Sequence, residues 1–353
     1  LNILLTGSTG FLGGKVMKEL IHGTDHHLYI LARNLKKAER LKDSFTTEEQ
    51  HRLHLLTGDI TLPSFGMEDG LIRSLAGGID CFYHSAALVK FDESLREELF
   101  AINYEGTKHA LELAKKLEIR KFFYVSTAYT VGKRQTGVED LYPEDDCSHN
   151  PYEESKVKAE HLVFNYGDVM DVSIFRPSII VGDSKTGEAD SEFTLYGFMR
   201  ALDIFRRKIE RKHEPGNDSL YRVVANPSGT SNFVPVDYVA EILALALTKA
   251  ERYGIYNITN PSPPTNAEVL DMFQDALDFH RLTTVDAHHH YELSPEEEKL
   301  NEMIDTFKVY LASDITFKDD NTQKLISGTN IGHLRMSREM LEMIIQAYFT
   351  FDR

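Results

Sequence analysis

Short apolar, β-branched runs alternate with longer stretches of helical periodicity through roughly the first 265 residues. The runs predict strands at 2–6, 28–32, 53–57, 80–84, 121–126, 171–176 and 254–259. Between them lie helix-length stretches such as 11–22 and 104–117; the second carries Leu111, Ala114 and Leu117 on one face and a polar face opposite. Strands alternating with helices of this length predict βαβ units, and with them an α/β fold built on a doubly wound parallel sheet.

The alternation breaks in two places. Residues 179–221 hold a polar loop and then a predicted helix, 195–213, whose apolar face is Leu195, Phe198, Met199, Leu202, Phe205 and Ile209. After Pro261-Ser262-Pro263-Pro264 the chain becomes mostly helical and acidic. The expected organisation is a dinucleotide-binding domain of residues 1–178 and 222–262, with 179–221 and 263–353 combined into a smaller, mostly helical substrate cap. Ligands of such sheets bind outside the carboxyl ends of the strands, where the cap is expected. The length of 353 residues suits two domains at roughly 150 each.

Charge and composition narrow the function classes. A formal charge of −16 speaks against a nucleic-acid partner, whose footprint is basic. Cys81 and Cys147 are too few for a disulfide framework or a Cys-rich zinc site. No run approaches the roughly 20 apolar residues of a membrane span, so the expectation is a cytoplasmic protein. The chain opens without Met, as a piece of a longer polypeptide would.

Four segments carry candidate chemistry. Thr6-Gly7-Ser8-Thr9-Gly10-Phe11-Leu12-Gly13 follows the first predicted strand and opens the first helix. Glycines there let a pyrophosphate approach the helix N-terminus, where free N–H groups favour anions. At the end of the second strand stands Arg33, which suits the 2′-phosphate of NADP where an acid would suit NAD; Lys36 and Lys37 follow. Asp59, in Gly58-Asp59-Ile60, is placed either to meet the adenine edge or to form a turn. Tyr152 and Lys156 stand one turn apart on a helix begun by Asn150-Pro151; a nearby ammonium would lower the phenol's pKa toward the working range. Finally, Ser126 and Thr127 close the fifth strand, and either hydroxyl is eligible to meet a carbonyl oxygen as it gains charge. Alternation along a strand would point them to opposite faces.

With these motifs in this order, residues 1–260 resemble the extended short-chain dehydrogenase/reductases. His84-Ser85-Ala86-Ala87, Asn103-Tyr104-Glu105-Gly106-Thr107, Arg176-Pro177-Ser178 and Phe233-Val234-Pro235-Val236-Asp237 look like segments of that family. The resemblance implies a catalytic triad of Thr127, Tyr152 and Lys156. The family's hydroxyl lies five residues before a glycine, here Gly132, which selects Thr127 over Ser126. It further implies that Lys156 holds the nicotinamide ribose and that Asn103 and Pro177 line the cofactor path. The expected cofactor-binding set is Gly7, Thr9, Gly10, Phe11, Leu12, Gly13, Arg33, Asp59, Ile60, Ala86, Ala87, Asn103, Ser126, Tyr152, Lys156 and Pro177.

Within that family the wording is similar to thioester reductases and fatty acyl-CoA reductases, the branch with a male sterility-type NAD-binding domain. Val125-Ser126-Thr127-Ala128-Tyr129 and Arg176-Pro177-Ser178-Ile179-Ile180-Val181-Gly182 carry that likeness, and Leu311–Phe317 with Asn321-Thr322 adds to it. The implied activity is NADPH-dependent reduction of an acyl thioester, on CoA or an acyl carrier protein, either to the aldehyde or, through a second cycle, to the alcohol. The competing readings are a nucleotide-sugar epimerase or dehydratase, a hydroxysteroid- or flavonol-type ketone reductase, and a non-catalytic dinucleotide sensor. Arg33, the Ala128-Tyr129 pair and the intact hydroxyl–Tyr–Lys set argue against them. His288-His289-His290 reads as a polar loop and not as a metal site, and His84 as a packed core residue. Arg206-Arg207-Lys208 with Arg211-Lys212 is either the solvated face of its helix or a docking patch for an anionic carrier.

Overall fold

The structure is a computed structural model, and it describes residues 1–145, 147–189, 195–212, 219–312 and 314–351. It divides into two compact units. The first comprises Leu1–Ser178, Val236–Thr259 and Phe317–His333; the second comprises Ile179–Pro235, Asn260–Thr316 and Leu334–Arg353.

The first unit is built on seven parallel strands: β1 (Asn2–Thr6), β2 (His27–Ala32), β3 (Leu53–Thr57), β4 (Cys81–His84), β5 (Lys121–Val125), β6 (Asp171–Pro177) and β7 (Gly254–Ile258). Their order across the sheet is β7-β6-β5-β4-β1-β2-β3. The chain winds outward from β1 to β3 and then crosses back to β4, so β1 and β4 flank the point where the order reverses. Central strands covered on both faces must be apolar throughout, and β4 is buried at all of its positions. Helix α1 (Phe11–Ile21) buries Val16, Met17, Leu20 and Ile21, while α2 (Gly106–Lys116) buries Ala110, Leu111, Leu113 and Ala114. Helix α3 (Pro151–Asn165) buries Val157, Ala159 and Val163.

The expected helix at 104–117 begins earlier than the pattern suggested. Helical backbone runs from Arg96–Phe100 through a π-type turn, Ala101–Glu105, into α2. Such turns widen the helix by one residue and cluster at functional sites. Here the widened turn carries Asn103.

Three ranges fall on the other side of the divide from the organisation expected above, the shortest being 260–262, which goes with the second unit. Residues 222–235 belong to the second unit, because the strand Tyr221–Val224 pairs with Leu282–Val285 there and not with the large sheet. Residues Phe317–His333 belong to the first, tied along β7: Asn321 Nδ2 donates to the Ile255 carbonyl at 3.0 Å.

In the second unit, α4 (Leu195–Arg211) buries all six residues of its predicted apolar face. His213, at the end of the predicted helix, lies outside the described residues. The basic run on this helix is not a free positive patch. Asp203 holds Arg206 at 2.7 Å and Arg207 at 2.6 Å, and Glu296 holds Lys212 at 3.1 Å. Local acids neutralise much of the charge that the docking reading required.

Candidate functional site

The glycine turn, Arg33, Asp59, Ala86, Ala87, Ser126, Thr127 and Pro177 stand at or just beyond the carboxyl ends of parallel strands, so the topology gathers them along one edge of the sheet, while Asn103, Tyr152 and Lys156 come from helical segments. The glycine turn leaves β1 beside the reversal point. Gly7 has φ +76°, and a Cβ there would lie 2.7 Å from the Ala86 nitrogen and from Ser85 Oγ. A Cβ on Gly13 would overlap the Gly7 carbonyl oxygen. The turn therefore packs backbone against backbone, and Gly10 caps α1 with no side chain over the helix N-terminus. Thr9, Phe11, Leu12, Ala86 and Ala87 line this region half-buried. Ser8, absent from the expected set, buries a hydroxyl with no hydrogen-bond partner among the described residues. A buried unpaired hydroxyl costs free energy unless something else satisfies it.

Further along the edge, Arg33 and Asp59 converge at 4.0 Å from the ends of β2 and β3. Arg33 is 80% exposed, so this pair contributes little to stability and leaves the guanidinium accessible. Asp59 accepts from the Thr61 nitrogen at 3.0 Å and the Thr61 hydroxyl at 2.8 Å, which hold its carboxyl below the usual range. It is thus a turn-former, and it also faces Arg33. Ile60 presents its carbonyl to His109 Nδ1 at 2.9 Å, which anchors this loop to α2.

The candidate catalytic groups come from the loop after β5 and from α3. Asn150 caps α3 by accepting from the Glu153 nitrogen, and Pro151 opens it. This helix also buries Tyr152, Glu153, Ser155, Lys156 and Glu160, an unusual polar load that demands partners. Strand β5 stops at Val125, so Ser126 and Thr127 lie beyond the pleat and both are buried. Of the two, Thr127 is the side chain that bears on the Tyr152 phenol and pulls its pKa down. The Ser126 hydroxyl has no partner among the described residues.

The electrostatics depart from the expectation that Lys156 lowers the tyrosine's pKa. Burial pushes the Tyr152 phenol well above its usual value; the Thr127 hydrogen bond pulls against this and the Glu153 carboxylate adds to it. Lys156 Nζ instead donates to the Val125 carbonyl at 2.9 Å, with the Tyr124 ring 4.7 Å away. Burial brings its pKa down to about 7, while the Glu160 carboxylate one turn later opposes the fall. Glu160 is in turn held by the fully buried Arg176, at 2.8 Å and 2.6 Å. The i, i+4 spacing from Lys156 to Glu160 was visible in the sequence; its closure through Arg176 on β6 was not.

The remaining candidates are structural in their contacts. Asn103 accepts from the Leu88 nitrogen at 2.8 Å, and its amide donates to the Leu88 carbonyl and to Ser155 Oγ at 3.0 and 3.1 Å. It fastens the loop after β4 to α3. Pro177 is buried at the end of β6, paired with Ile258. His84 meets Thr6 at 2.8 Å and Thr107 at 3.2 Å, and burial lowers its pKa to about 3, so it is a neutral core residue at pH 7.

In the second unit, a cavity of about 60 Å³ is walled by Phe198, Val223, Phe233, Leu270, Phe273 and Phe307 among others. His289 of the histidine run meets Asp286 at 3.1 Å. Among the described residues no helix is long and apolar enough to cross a membrane.

Residues 5–243 match the family described as male sterility protein. The chain is 27% identical over 277 residues to a linear gramicidin synthase of Brevibacillus parabrevis, covering 73% of this chain and 5% of that one. It is 25% identical over 306 residues to fatty acyl-CoA reductase 1 of Xenopus laevis, covering 73% of this chain and 57% of that one. The chain thus spans little more than half of one relative and a small fraction of the other. The crystal structure of the terminal R domain from the myxalamid PKS-NRPS biosynthetic pathway shares the fold, with a TM-score of 0.78 at 22% identity over 99% of this chain and 90% of that one.

Proposed function

The chain belongs to the male sterility protein family, and from that premise we propose that it is an NADPH-dependent reductase of acyl thioesters. The observation that carries the reading is the Lys156 Nζ bond to the Val125 carbonyl at 2.9 Å, which brings α3, with Tyr152 one turn before Lys156, against the strand end that leads into Thr127. The relatives point to the substrate class, since one is named a fatty acyl-CoA reductase and the other a linear gramicidin synthase.

The residues fit a dinucleotide. A pyrophosphate suits the turn where Gly7 and Gly13 leave no room for a Cβ, and the unpaired Ser8 and Ser126 hydroxyls can each take a polar partner. The exposed Arg33 supports a 2′-phosphate, and hence NADPH over NADH. When bound, the nicotinamide supplies a hydride to the thioester carbonyl carbon.

The chain's own groups answer the charge that this creates on oxygen. Because burial holds the Tyr152 phenol protonated at neutral pH, it acts as a hydrogen-bond and proton donor. Lys156, near its pKa at pH 7, is poised to exchange protons with the site. Expulsion of the thiol then leaves an aldehyde, and a second round gives an alcohol. The apolar cavity of the second unit supports a substrate with a hydrocarbon portion.

The test is NADPH oxidation by the purified chain with acyl-CoA, carrier-bound thioester, ketone and nucleotide-sugar substrates. Turnover with the thioesters alone is expected. Turnover confined to ketones or nucleotide sugars would overturn the reading.

A further inference from the structure

The segment Phe317–His333 lies far beyond the residues that match the family, yet it packs in the first unit. Its anchor is Glu139, a half-buried carboxylate in the loop that follows Thr127. One carboxylate oxygen accepts from the Asn321 nitrogen at 2.5 Å; the other accepts from the Asn257 nitrogen at 2.8 Å and from the Thr322 nitrogen and hydroxyl at 3.2 Å each. Lys318 adds a backbone bond to the Gly137 carbonyl at 2.8 Å, and Asn257 Nδ2 donates to the Lys318 carbonyl at 2.7 Å. Beside this anchor the Phe317 ring occupies the space where a Cβ on Gly137 would stand, and meets the Tyr129 ring edge-on at 6.0 Å.

Tyr129 is two residues from Thr127. Its backbone nitrogen donates to Thr127 Oγ1 at 3.2 Å, which makes Thr127 the cap of the short helix Ala128–Val131. The same loop is gripped from its other side by Arg176, which donates to the Val138 carbonyl at 2.9 Å and the Asp140 carbonyl at 3.0 Å. Arg176 also holds Glu160 on α3, so the loop is fastened to the helix of Tyr152 and Lys156 on one side and to Phe317–His333 on the other. Thr127 Oγ1 is thus engaged by the Tyr129 amide, and the ring of that same residue packs on Phe317 of the segment.

We infer that Phe317–His333 is a strap whose Phe317 and Glu139 contacts position the Thr127 hydroxyl, so that Phe317 and Glu139 are positioning residues for the proposed reduction. The inference deepens the reductase reading, and the experiment separates the two. Amide hydrogen exchange across 127–132 reports the strap without any substrate, whereas single-turnover NADPH oxidation with a thioester reports both. In the full chain, Phe317→Ala and Glu139→Gln are expected to speed exchange at 127–132 about tenfold and to leave the 7–13 turn and NADPH affinity unchanged. Single-turnover rate should fall about 10- to 100-fold, the penalty of a misplaced reacting group. Phe317→Tyr, which keeps the ring, should recover most of both. Unchanged exchange at 127–132 in both alanine and glutamine variants overturns the inference. A loss of protection spread evenly through the unit marks general destabilisation, and the milder Phe317→Leu then decides: an effect confined to 127–132 supports the inference, and one that is again spread evenly overturns it. If the unaltered chain oxidises no NADPH with any thioester, the reductase reading fails while the exchange data still judge the strap.

Discussion

The glycine turn and the Thr127–Tyr152–Lys156 corner stand on the same edge of the sheet but are made in opposite ways. The turn is shaped by side chains that are missing: Gly7 and Gly13 let backbone meet backbone, and the groups on offer are N–H dipoles. The corner is made of side chains that are present and buried, whose charge states follow from desolvation and from neighbours such as Glu153 and Glu160. A site of the first kind is intolerant of volume and indifferent to pH. A site of the second kind tolerates small changes of shape and answers to chemistry.

Substitutions on either side should separate affinity from turnover. The largest effect is expected at the corner: Tyr152→Phe keeps the buried ring and removes the donor, so kcat should drop about 10²- to 10⁴-fold with NADPH affinity intact. Near-normal turnover in rapid kinetics would break the contrast. In the turn, Gly13→Ala drives a methyl into the Gly7 carbonyl, an overpacking of about 1–3 kcal/mol, or roughly 5- to 150-fold in NADPH Kd. Its kcat at saturating cofactor should survive, and a collapse of kcat there would mean that the two regions are not independent.

Arg33→Ala sharpens the turn's side of the comparison. One charge-assisted contact removed should weaken NADPH by about tenfold or somewhat more and leave NADH untouched, as fluorescence titration would show. Equal affinity of the unaltered chain for both cofactors would refute the assignment. The smallest effect is a stability slope. Lys156 binds its proton less tightly in the folded chain, at about 7, than at its ordinary 10.5. The unfolded chain therefore holds more protons between those values, and folding should strengthen as pH rises through that window. Relative to Lys156→Met, the unaltered chain should gain up to about 1.4 kcal/mol per pH unit between 7 and 9 in urea titrations. A parallel pH dependence of the two would show that the ammonium is better solvated than its burial implies.

The parts that were legible before the structure are those governed by local rules. The strand at 2–6, its glycine turn and the start of α1 follow from residue periodicity and from φ and packing constraints that glycine alone meets. The cap of α3 at Asn150-Pro151, and the face shared by Tyr152 and Lys156, follow from helix geometry. Less legible was the loop beyond Val125, where strand alternation no longer applies; both hydroxyls there are buried, and Thr127 is the one that pulls the tyrosine's pKa down. The positive run of α4 was legible as charge; of its partners, Asp203 lies within a turn of Arg206 and Arg207, whereas Glu296, which holds Lys212, lies far along the chain.

The sequence by itself determined the parallel sheet, the order in which candidate groups reach its carboxyl edge, and the family wording at Tyr152 and Lys156. These depend on repeats of two and 3.6 residues and on short motifs, which are properties of neighbours in the chain. Only the tertiary structure decided which way the pKa of Tyr152 moves, which carbonyl Lys156 serves, and that Glu160, Arg176, Glu139 and Phe317 close around one loop. The physical reason is that desolvation and buried ion pairing are set by whatever fills the space around a group. The Glu160–Arg176 pair closes across 16 positions of the chain and the Glu139–Asn321 contact across 182.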